Sequence, residues 1–171
     1  LLTYLADDEQ LRGLALWRMG GLGGATWQVA LAATPTAIAG VALLFTTAKA
    51  LNALALGEPD AYYLGVSVNT LKRLIVIGAA LAVGASVSAA GAIGFVGLVV
   101  PHLLRISIGA DHRFMLPACA MGGAFLLVVA DTLARTIAAP AELPVGILTS
   151  FIGAPLFLHL LLKHKKEMQR A

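Results

Sequence analysis

The side chains that most often carry out chemistry are few in this chain and stand far apart. Asp131 and Arg135 are four residues apart, a spacing that allows an ion pair on one face of a helix. Ser86 and Ser88 lie in an apolar stretch with no histidine or aspartate placed to activate them, which disfavours an intramembrane protease or hydrolase. The single cysteine, Cys119, allows neither an internal disulfide nor a cysteine-based metal site.

Patterns that bind metals or nucleotides do not occur in the sequence either. Four histidines are present, and none stands at ligand spacing with cysteine or carboxylate side chains: His102, His112, His159 and His164. We therefore expect no metal site, and a structural role for His102 rather than haem or metal ligation. Neither G-x-x-x-x-G-K-[ST] nor G-x-G-x-x-G is found, so nothing predicts a cradle for nucleotide phosphates.

Composition places the chain in a membrane. Of its 171 residues 59% are hydrophobic and 12% charged, and the mean hydropathy is +0.87. Soluble domains carry about 25% charged residues, roughly twice this share. The net charge of +3 is not arranged as a basic stripe with interleaved aromatics, so nucleic acid is not an expected partner. The excess of Lys and Arg is better explained by loops that stay on the cytoplasmic side of a membrane.

Hydropathy predicts an all-α, polytopic bundle of transmembrane helices. A crossing needs about 20 apolar residues to cover roughly 30 Å of hydrocarbon. Residues 1–5 resemble the tail of an earlier span, so we expect the chain to lack its start. Five spans are predicted, at residues 27–48, 73–90, 96–106, 113–137 and 143–163.

The uncharged stretch 74–104 is long for one crossing and short for two. Gly91, Gly94 and Gly97, followed by Pro101, argue against one unbroken helix. Counting Lys and Arg on each side also favours two crossings, with a split of 9 to 3 against 8 to 4 for one. Both counts place the basic C-terminal tail in the cytoplasm. With two crossings the inside holds Lys49, Lys72, Arg73, Arg105, Arg113, Lys163, Lys165, Lys166 and Arg170, and the outside holds Arg12, Arg18 and Arg135.

The longest polar stretch, residues 49–73, combines turn-forming residues with an apolar face. Asn52, Gly57 and Pro59 supply turn chemistry, and Leu54 and Tyr62 belong to the apolar set. This composition fits a short helical hairpin that lies against another protein, and it fits equally a solvated loop with one buried edge. The residue types alone leave both interpretations open.

The remaining charged groups have ordinary explanations. The Asp131–Arg135 pair falls in the last turns of a predicted helix, where both side chains can reach the outer membrane interface. Glu142 lies between Pro140 and Pro144 in a short external turn.

Several motifs in register resemble the FecCD family, the permease subunits of ABC importers for ferric siderophores, haem and cobalamin. The resemblance covers nearly the whole chain. The motifs are GAIGFVGLVVPHLLR at 91–105, ADHR at 110–113 with Leu116–Pro117, AD-x-x-AR at 130–135, AELPVG at 141–146 with Gly153–Pro155, and LALGE at 54–58 with LGV at 64–66.

The resemblance implies a role and a set of partners. Family members have about ten spans, so residues 1–171 correspond to a C-terminal half in the bacterial inner membrane, with a cytoplasmic C-terminus. The implied partners are a second permease copy, a substrate-binding protein and a dimer of ATPase subunits, which would hold the ATP-Mg. The chain itself would be a permease and not an enzyme, and would bind no cofactor.

The resemblance also assigns residues. The cytoplasmic segment 49–72 would couple to the ATPase through Leu56, Gly57, Glu58, Ala61, Leu64 and Gly65. Arg135, oriented by Asp131, would dock the binding protein. A broken helix along the pathway would involve Gly91, Gly94, Gly97 and Pro101.

The substrate is less well defined by the sequence. Residues 1–12 and 17–21 are similar to the haem-importing branch, so haem is the expected substrate, with a ferric siderophore or cobalamin as alternatives. A more distant alternative is an ion-coupled secondary transporter, which would need an acidic residue deep in a span, whereas Asp131 lies near a helix end. An intramembrane enzyme is a third possibility, which activity of the chain without partners would reveal.

Overall fold

The computed structural model describes residue 13, residues 17–137 and residues 143–168. These residues form helices, turns and loops, and no strand occurs among them. After a helical turn at 17–19 the helices are α1 (Trp27–Thr46), α2 (Ala48–Leu54), α3 (Glu58–Tyr63), α4 (Val68–Ala90), α5 (Val96–Ile108), α6 (His112–Ile137) and α7 (Val145–Met168). The predicted all-α class is confirmed.

Three of these helices are long and apolar enough to cross a bilayer, namely α1, α4 and α6. Helix α5 has 13 residues, or about 20 Å at 1.5 Å per residue, which is less than the thickness of the hydrocarbon layer. Helix α7 has 24 residues, and its sequence stays largely apolar as far as Leu162. The architecture is that of a multi-pass membrane protein in which α5 is too short to cross the bilayer.

One helix start differs clearly from that expected from hydropathy. Helix α4 begins at Val68 rather than 73, so it includes the charged residues Lys72 and Arg73. Hydropathy finds apolar residues and cannot find a polar extension of a helix. Between α4 and α5 the helix is interrupted at residues 91–95, as the sequence predicted, but Gly97 and Pro101 lie inside α5 and not in the interruption. Pro101 is the sixth residue of α5, so its missing N–H leaves the Gly97 carbonyl without its usual helical donor.

The described residues form two compact units. Residues 25–89 and 103–122 make up one, here called the hairpin unit. The other, the break unit, contains residues 17–24, 90–102, 123–137 and 143–168.

In the hairpin unit, α1 and α4 approach each other at two glycines. A Cβ atom on Gly40 would lie 2.6 Å from the Ala82 nitrogen and 2.7 Å from the Gly78 oxygen, both of them backbone atoms. One on Gly78 would lie 2.9 Å from the Leu44 side chain. Close backbone approach through small residues is a principal way for membrane helices to associate, because burying apolar surface gains little inside lipid.

The turn from α1 into α2 is built on two threonines. The Thr46 hydroxyl donates to the Leu43 carbonyl at 2.6 Å, and the Thr47 hydroxyl donates to the Leu44 carbonyl at 2.7 Å. Thr47 is buried, and its hydrogen bond satisfies the hydroxyl without a partner from another element. Only Thr47 separates the end of α1 from the start of α2.

The break unit has its own small core. Ala130 and Ala134 on α6 and Val145 at the start of α7 are almost fully buried, with Leu127 and Leu148 packed around them. The alanines are four residues apart and so lie on one face of α6. This packing positions the start of α7, which bears on the helix break described below.

We expect Gly40→Ala to destabilise the protein by about 1–3 kcal/mol, because the added methyl group meets backbone that cannot rotate away. Thermal unfolding in detergent measures the effect. Gly84→Ala is the matched control on α4, since a Cβ there meets nothing within 4 Å; its stability should equal or exceed that of the wild type by up to about 1 kcal/mol, through helix propensity. Equal stability of the two variants would contradict the close approach.

Candidate functional site

The predicted coupling segment, residues 49–72, contains α2, α3 and the first residues of α4. Helices α2 and α3 are joined by a turn whose last residue, Gly57, has φ 125° and ψ 155°, a conformation essentially restricted to glycine. Glu58 and Asp60 lie in the first turn of α3 with Pro59 between them, a favourable arrangement of acidic residues and proline at a helix start. The turn chemistry in the sequence thus produces a pair of short helices.

The end of α3 is closed by backbone hydrogen bonds. Gly65, at φ 78°, donates from its N–H to the Tyr62 carbonyl, and the Val66 N–H donates to the Ala61 carbonyl, both at 2.9 Å. This is a Schellman motif, which reverses the chain after a helix and requires a left-handed residue. Ala61 has no exposed surface, so it can serve a coupling role only by shaping this turn.

Large apolar side chains on the coupling segment face outward. The segment presents Leu56 (67% exposed), Tyr62 (75%), Tyr63 (85%) and Leu64 (63%), together called the apolar patch. The two tyrosine rings meet edge to face, with their centroids 6.3 Å apart. Tyr62 and Tyr63 also line an open depression at the start of α4. Exposed aromatic residues outside the membrane-length helices are typical of a surface that binds another protein.

Glu58 forms an ion pair with Lys72 on α4, with 2.6 Å between the carboxylate oxygen and Nζ. Both side chains are more than half exposed, so the pair contributes at most about 1 kcal/mol. It orients Glu58 along the segment and adds little to the stability of the fold.

A polar cluster that sequence analysis did not identify joins α2 to the start of α6. The Asn52 Nδ2 donates to the Asp111 carboxylate at 2.6 Å. The Asn52 Oδ1 accepts from the His112 backbone N–H at 2.9 Å and lies 2.7 Å from the His112 Nδ1. Because an amide oxygen only accepts, the His112 Nδ1 carries a proton in this arrangement. All three groups have partners.

Asp111 is also the N-cap of α6. Its carboxylate accepts from the Arg113 N–H at 2.9 Å. This backbone donor, and then the Asn52 amide, hold the pKa of the Asp111 carboxyl below its usual value. The carboxylate is therefore ionised at neutral pH. An aspartate just before a helix could have been predicted as an N-cap. Its contact with Asn52 could not, because Asn52 lies 59 residues away and no local pattern connects the two.

The interruption at 91–95 is where three backbone segments of the break unit meet. Gly91 has φ 71°, and a Cβ there would overlap the Trp17 carbonyl oxygen. The Gly21 N–H donates to the Ala90 carbonyl at 2.9 Å, and the Gly146 N–H donates to the Gly20 carbonyl at 3.3 Å. Of the four residues predicted at a broken helix, Gly91 and Gly94 lie in the interruption, and a contribution of Gly97 and Pro101 to a pathway stays a prediction.

Phe95 ends the interruption in a strained conformation. Its φ is 65°, in the left-handed region that a bulky residue adopts at a cost of about 1–3 kcal/mol. Its carbonyl accepts from the Leu98 and Val99 N–H groups and so starts α5. The Phe95 ring fills the space that a side chain at Gly153 on α7 would occupy.

The predicted ion pair between Asp131 and Arg135 is present, with 2.8 Å between Oδ2 and Nε. Arg135 is half exposed and lies two residues before Ile137, where α6 ends. Its predicted docking role is compatible with this exposure. Glu142 and residues 1–12 lie outside the described residues.

The other candidates show little sign of chemistry. Ser86 and Ser88 bond to carbonyls of their own helix at 2.8 Å, as unactivated membrane serines do. In the part of the chain that the structure describes, no group of three or more His, Cys, Asp or Glu side chains could hold a metal ion.

Comparison with known proteins gives consistent matches over nearly the whole chain. A sequence model of the FecCD transport family matches residues 1–163. The hemin transport system permease protein HmuU of Yersinia pestis is 51% identical over 167 residues, which is 98% of this chain and 50% of that protein. The cobalamin import system permease protein BtuC of Halobacterium salinarum is 49% identical over 155 residues, covering 91% of this chain and 42% of that protein.

The vitamin B12 import system permease protein BtuC of Salmonella typhi is 45% identical over 163 residues, which is 94% of this chain and 49% of that protein. A solved structure described as a metal-chelate type ABC transporter in an inward-facing conformation superposes with a TM-score of 0.86 at 36% identity. It covers 95% of this chain and 53% of that one. The chain spans about half the length of the curated relatives it matches.

We expect Gly91→Ala to destabilise the protein, since the position is left-handed and its Cβ would overlap the Trp17 carbonyl. Gly97→Ala is the matched control within the same motif, because a Cβ there meets nothing within 4 Å. The expected loss for Gly91→Ala is about 1–3 kcal/mol, measured by thermal unfolding in detergent. If Gly97→Ala destabilised as much as Gly91→Ala, the interruption would not depend on this close approach.

Proposed function

Because the chain belongs to the FecCD transport family, we propose that it forms part of the permease of a binding-protein-dependent ABC importer that moves haem or another iron chelate across the bacterial inner membrane. The C-terminus would be cytoplasmic. Coverage of about half of each relative supports its being one half of a longer permease. It would be the C-terminal half of a permease of about ten spans that works as a pair of copies.

The observation that carries the proposal is the apolar patch on the coupling segment. Leu56, Tyr63 and Leu64 are exposed on and beside the short helix α3, outside the membrane-length helices, and Gly57 and Gly65 hold the backbone there. Such a surface is costly to expose unless a partner covers it. The proposed partner is the ATPase subunit, which would hold the ATP-Mg; this chain would bind no cofactor of its own.

The proposed mechanism is alternating access driven by the ATPase. ATP binding closes the ATPase dimer and moves the coupling segment with it, and the segment moves the helices that enclose the pathway. The helix interruption at 91–95 supports a pathway nearby, since non-helical backbone at membrane depth is tolerated where it is buried in protein or lines a cavity. The chain would supply the moving structure and the partner the free energy.

The sequence identities to the relatives favour haem as the substrate slightly over cobalamin. The hemin permease is 51% identical and the two cobalamin permeases are 49% and 45% identical, differences too small to decide between the substrates. The test is uptake into liposomes by the complete permease with its ATPase and binding protein, comparing haem, a ferric siderophore and cobalamin. Uptake that persists without ATP but needs a proton gradient would instead favour an ion-coupled transporter.

Replacing Gly57 should separate ATP hydrolysis from transport. Gly57→Ala forces a side chain into a glycine-only conformation at a cost of about 1–3 kcal/mol, so the α2–α3 turn and the patch change shape. We expect uptake per ATP hydrolysed to fall while hydrolysis continues. Gly84→Ala, in open space on α4, is the control that should keep the wild-type ratio. Full coupling in Gly57→Ala would refute the assignment of the segment.

Reversing the charge at Arg135 should weaken the binding protein's hold on the permease. We expect Arg135→Glu to lower that affinity about tenfold, or about 1.4 kcal/mol, because it reverses the charge that Arg135 would present to the binding protein. Arg113→Glu, at the other end of α6, is the control. Affinity is measured by immobilising the binding protein, and an unchanged value for Arg135→Glu would exclude Arg135 from the docking surface.

A further inference from the structure

We propose that Asn52 is a positioning residue that fastens α2 to the first turn of α6, so that a movement of the coupling segment is passed to α6. The inference rests on the proposed function, since it assumes that the segment is moved by a partner. It adds a specific route by which the movement enters a membrane-length helix.

The chemistry of the Asn52 amide fixes its orientation. Its NH₂ group faces the ionised Asp111 carboxylate at 2.6 Å, and its oxygen faces two donors of His112 at 2.7 and 2.9 Å. A rotated amide would place donor against donor and acceptor against acceptor. A hydrogen bond to a charged group is stronger than one between neutral groups, and here the Asn52 amide is held on both of its sides.

The point of attachment makes the link suited to moving a helix. Asn52 accepts from the His112 N–H, and Asp111 accepts from the Arg113 N–H, so the cluster takes two of the backbone donors that the start of α6 leaves without helical partners. A pull on α2 is thus applied to the helix backbone itself and not to a flexible side chain on its surface.

Asn52 carries this connection alone among the described residues. Every side-chain hydrogen bond that joins the coupling segment to Asp111 or His112 has Asn52 as one partner. The ion pair from Glu58 goes to Lys72 on α4 and is exposed to solvent. Helix α6 is also the helix that carries Asp131 and Arg135, about five and six helical turns beyond His112, so both proposed docking regions involve it.

The experiment compares variants of the complete permease, assembled with its ATPase and binding protein. Asn52→Ala removes the link. Asn52→Asp keeps the shape and the acceptor for His112 but sets a second carboxylate against Asp111. Ser107→Ala is the matched control near the same loop, because its hydroxyl bonds only to the Leu103 carbonyl of its own helix.

Two quantities are measured for each variant. The first is substrate taken up per ATP hydrolysed, normalised to the amount of assembled complex. The second is the distance between spin labels at exposed positions 49 on α2 and 113 on α6, with and without nucleotide, after replacing Cys119. The expected result is a fall in uptake per ATP of about fivefold or more for both Asn52 variants and none for Ser107→Ala. The label distance should stay constant in the wild type and change with nucleotide in the Asn52 variants.

Other results overturn the inference. These are a wild-type ratio in both Asn52 variants, a parallel loss of uptake and hydrolysis, or a label distance that responds to nucleotide identically in all proteins. If Asn52→Ala does not assemble, Asn52→Asp decides. If the wild type shows no ATP-dependent uptake, the proposed function fails. The label distances alone then test whether Asn52 attaches α2 to α6. Where the two readouts differ, the label distance is decisive.

Discussion

A helix that stops in an apolar layer leaves backbone N–H and C=O groups without partners, and the break unit is organised around satisfying them. Helix α4 ends at Ala90, whose carbonyl accepts from the Gly21 N–H. The carbonyl of Gly20 accepts in turn from the Gly146 N–H at the start of α7. Backbone from three distant parts of the chain therefore stands in for the missing helical hydrogen bonds. The interruption exists only where these segments can come this close.

Because these backbone segments lie so close together, there is no room for a side chain where they meet. A Cβ on Gly20, Gly91 or Gly146 would overlap carbonyl groups of the neighbouring segments, so each position has to be glycine. Phe95 shows the opposite case, a large residue held in a left-handed conformation because its ring fills the space beside Gly153. Strain of about 1–3 kcal/mol persists only where the surroundings over-determine a conformation, and sites of that kind are often sites of movement.

The sequence predicted those parts of the fold that depend on local pattern. Hydropathy located the membrane-length helices, and the glycines before Pro101 located the interruption, since both signals lie within a few residues of the feature. Pattern could not show that Gly40 faces the backbone of α4, or that Asn52 reaches Asp111, because each needs the spacing of two elements far apart in the chain. The beginning of α4 was misplaced for another reason. Its first turns are polar, and a hydropathy pattern does not detect helical turns made of polar residues.

The geometry of the coupling segment comes from backbone conformation rather than from charge. Its one ion pair, between Glu58 and Lys72, is exposed and worth little in salt. Gly57 and Gly65 fix both ends of α3 through conformations that other residues rarely adopt, and the Schellman hydrogen bonds close its end. A surface built in this way keeps its shape when ionic strength changes, yet a single methyl group at a glycine can alter it. That combination would suit the proposed coupling role, because the backbone sets the stiffness locally while the exposed aromatic side chains remain available for contact.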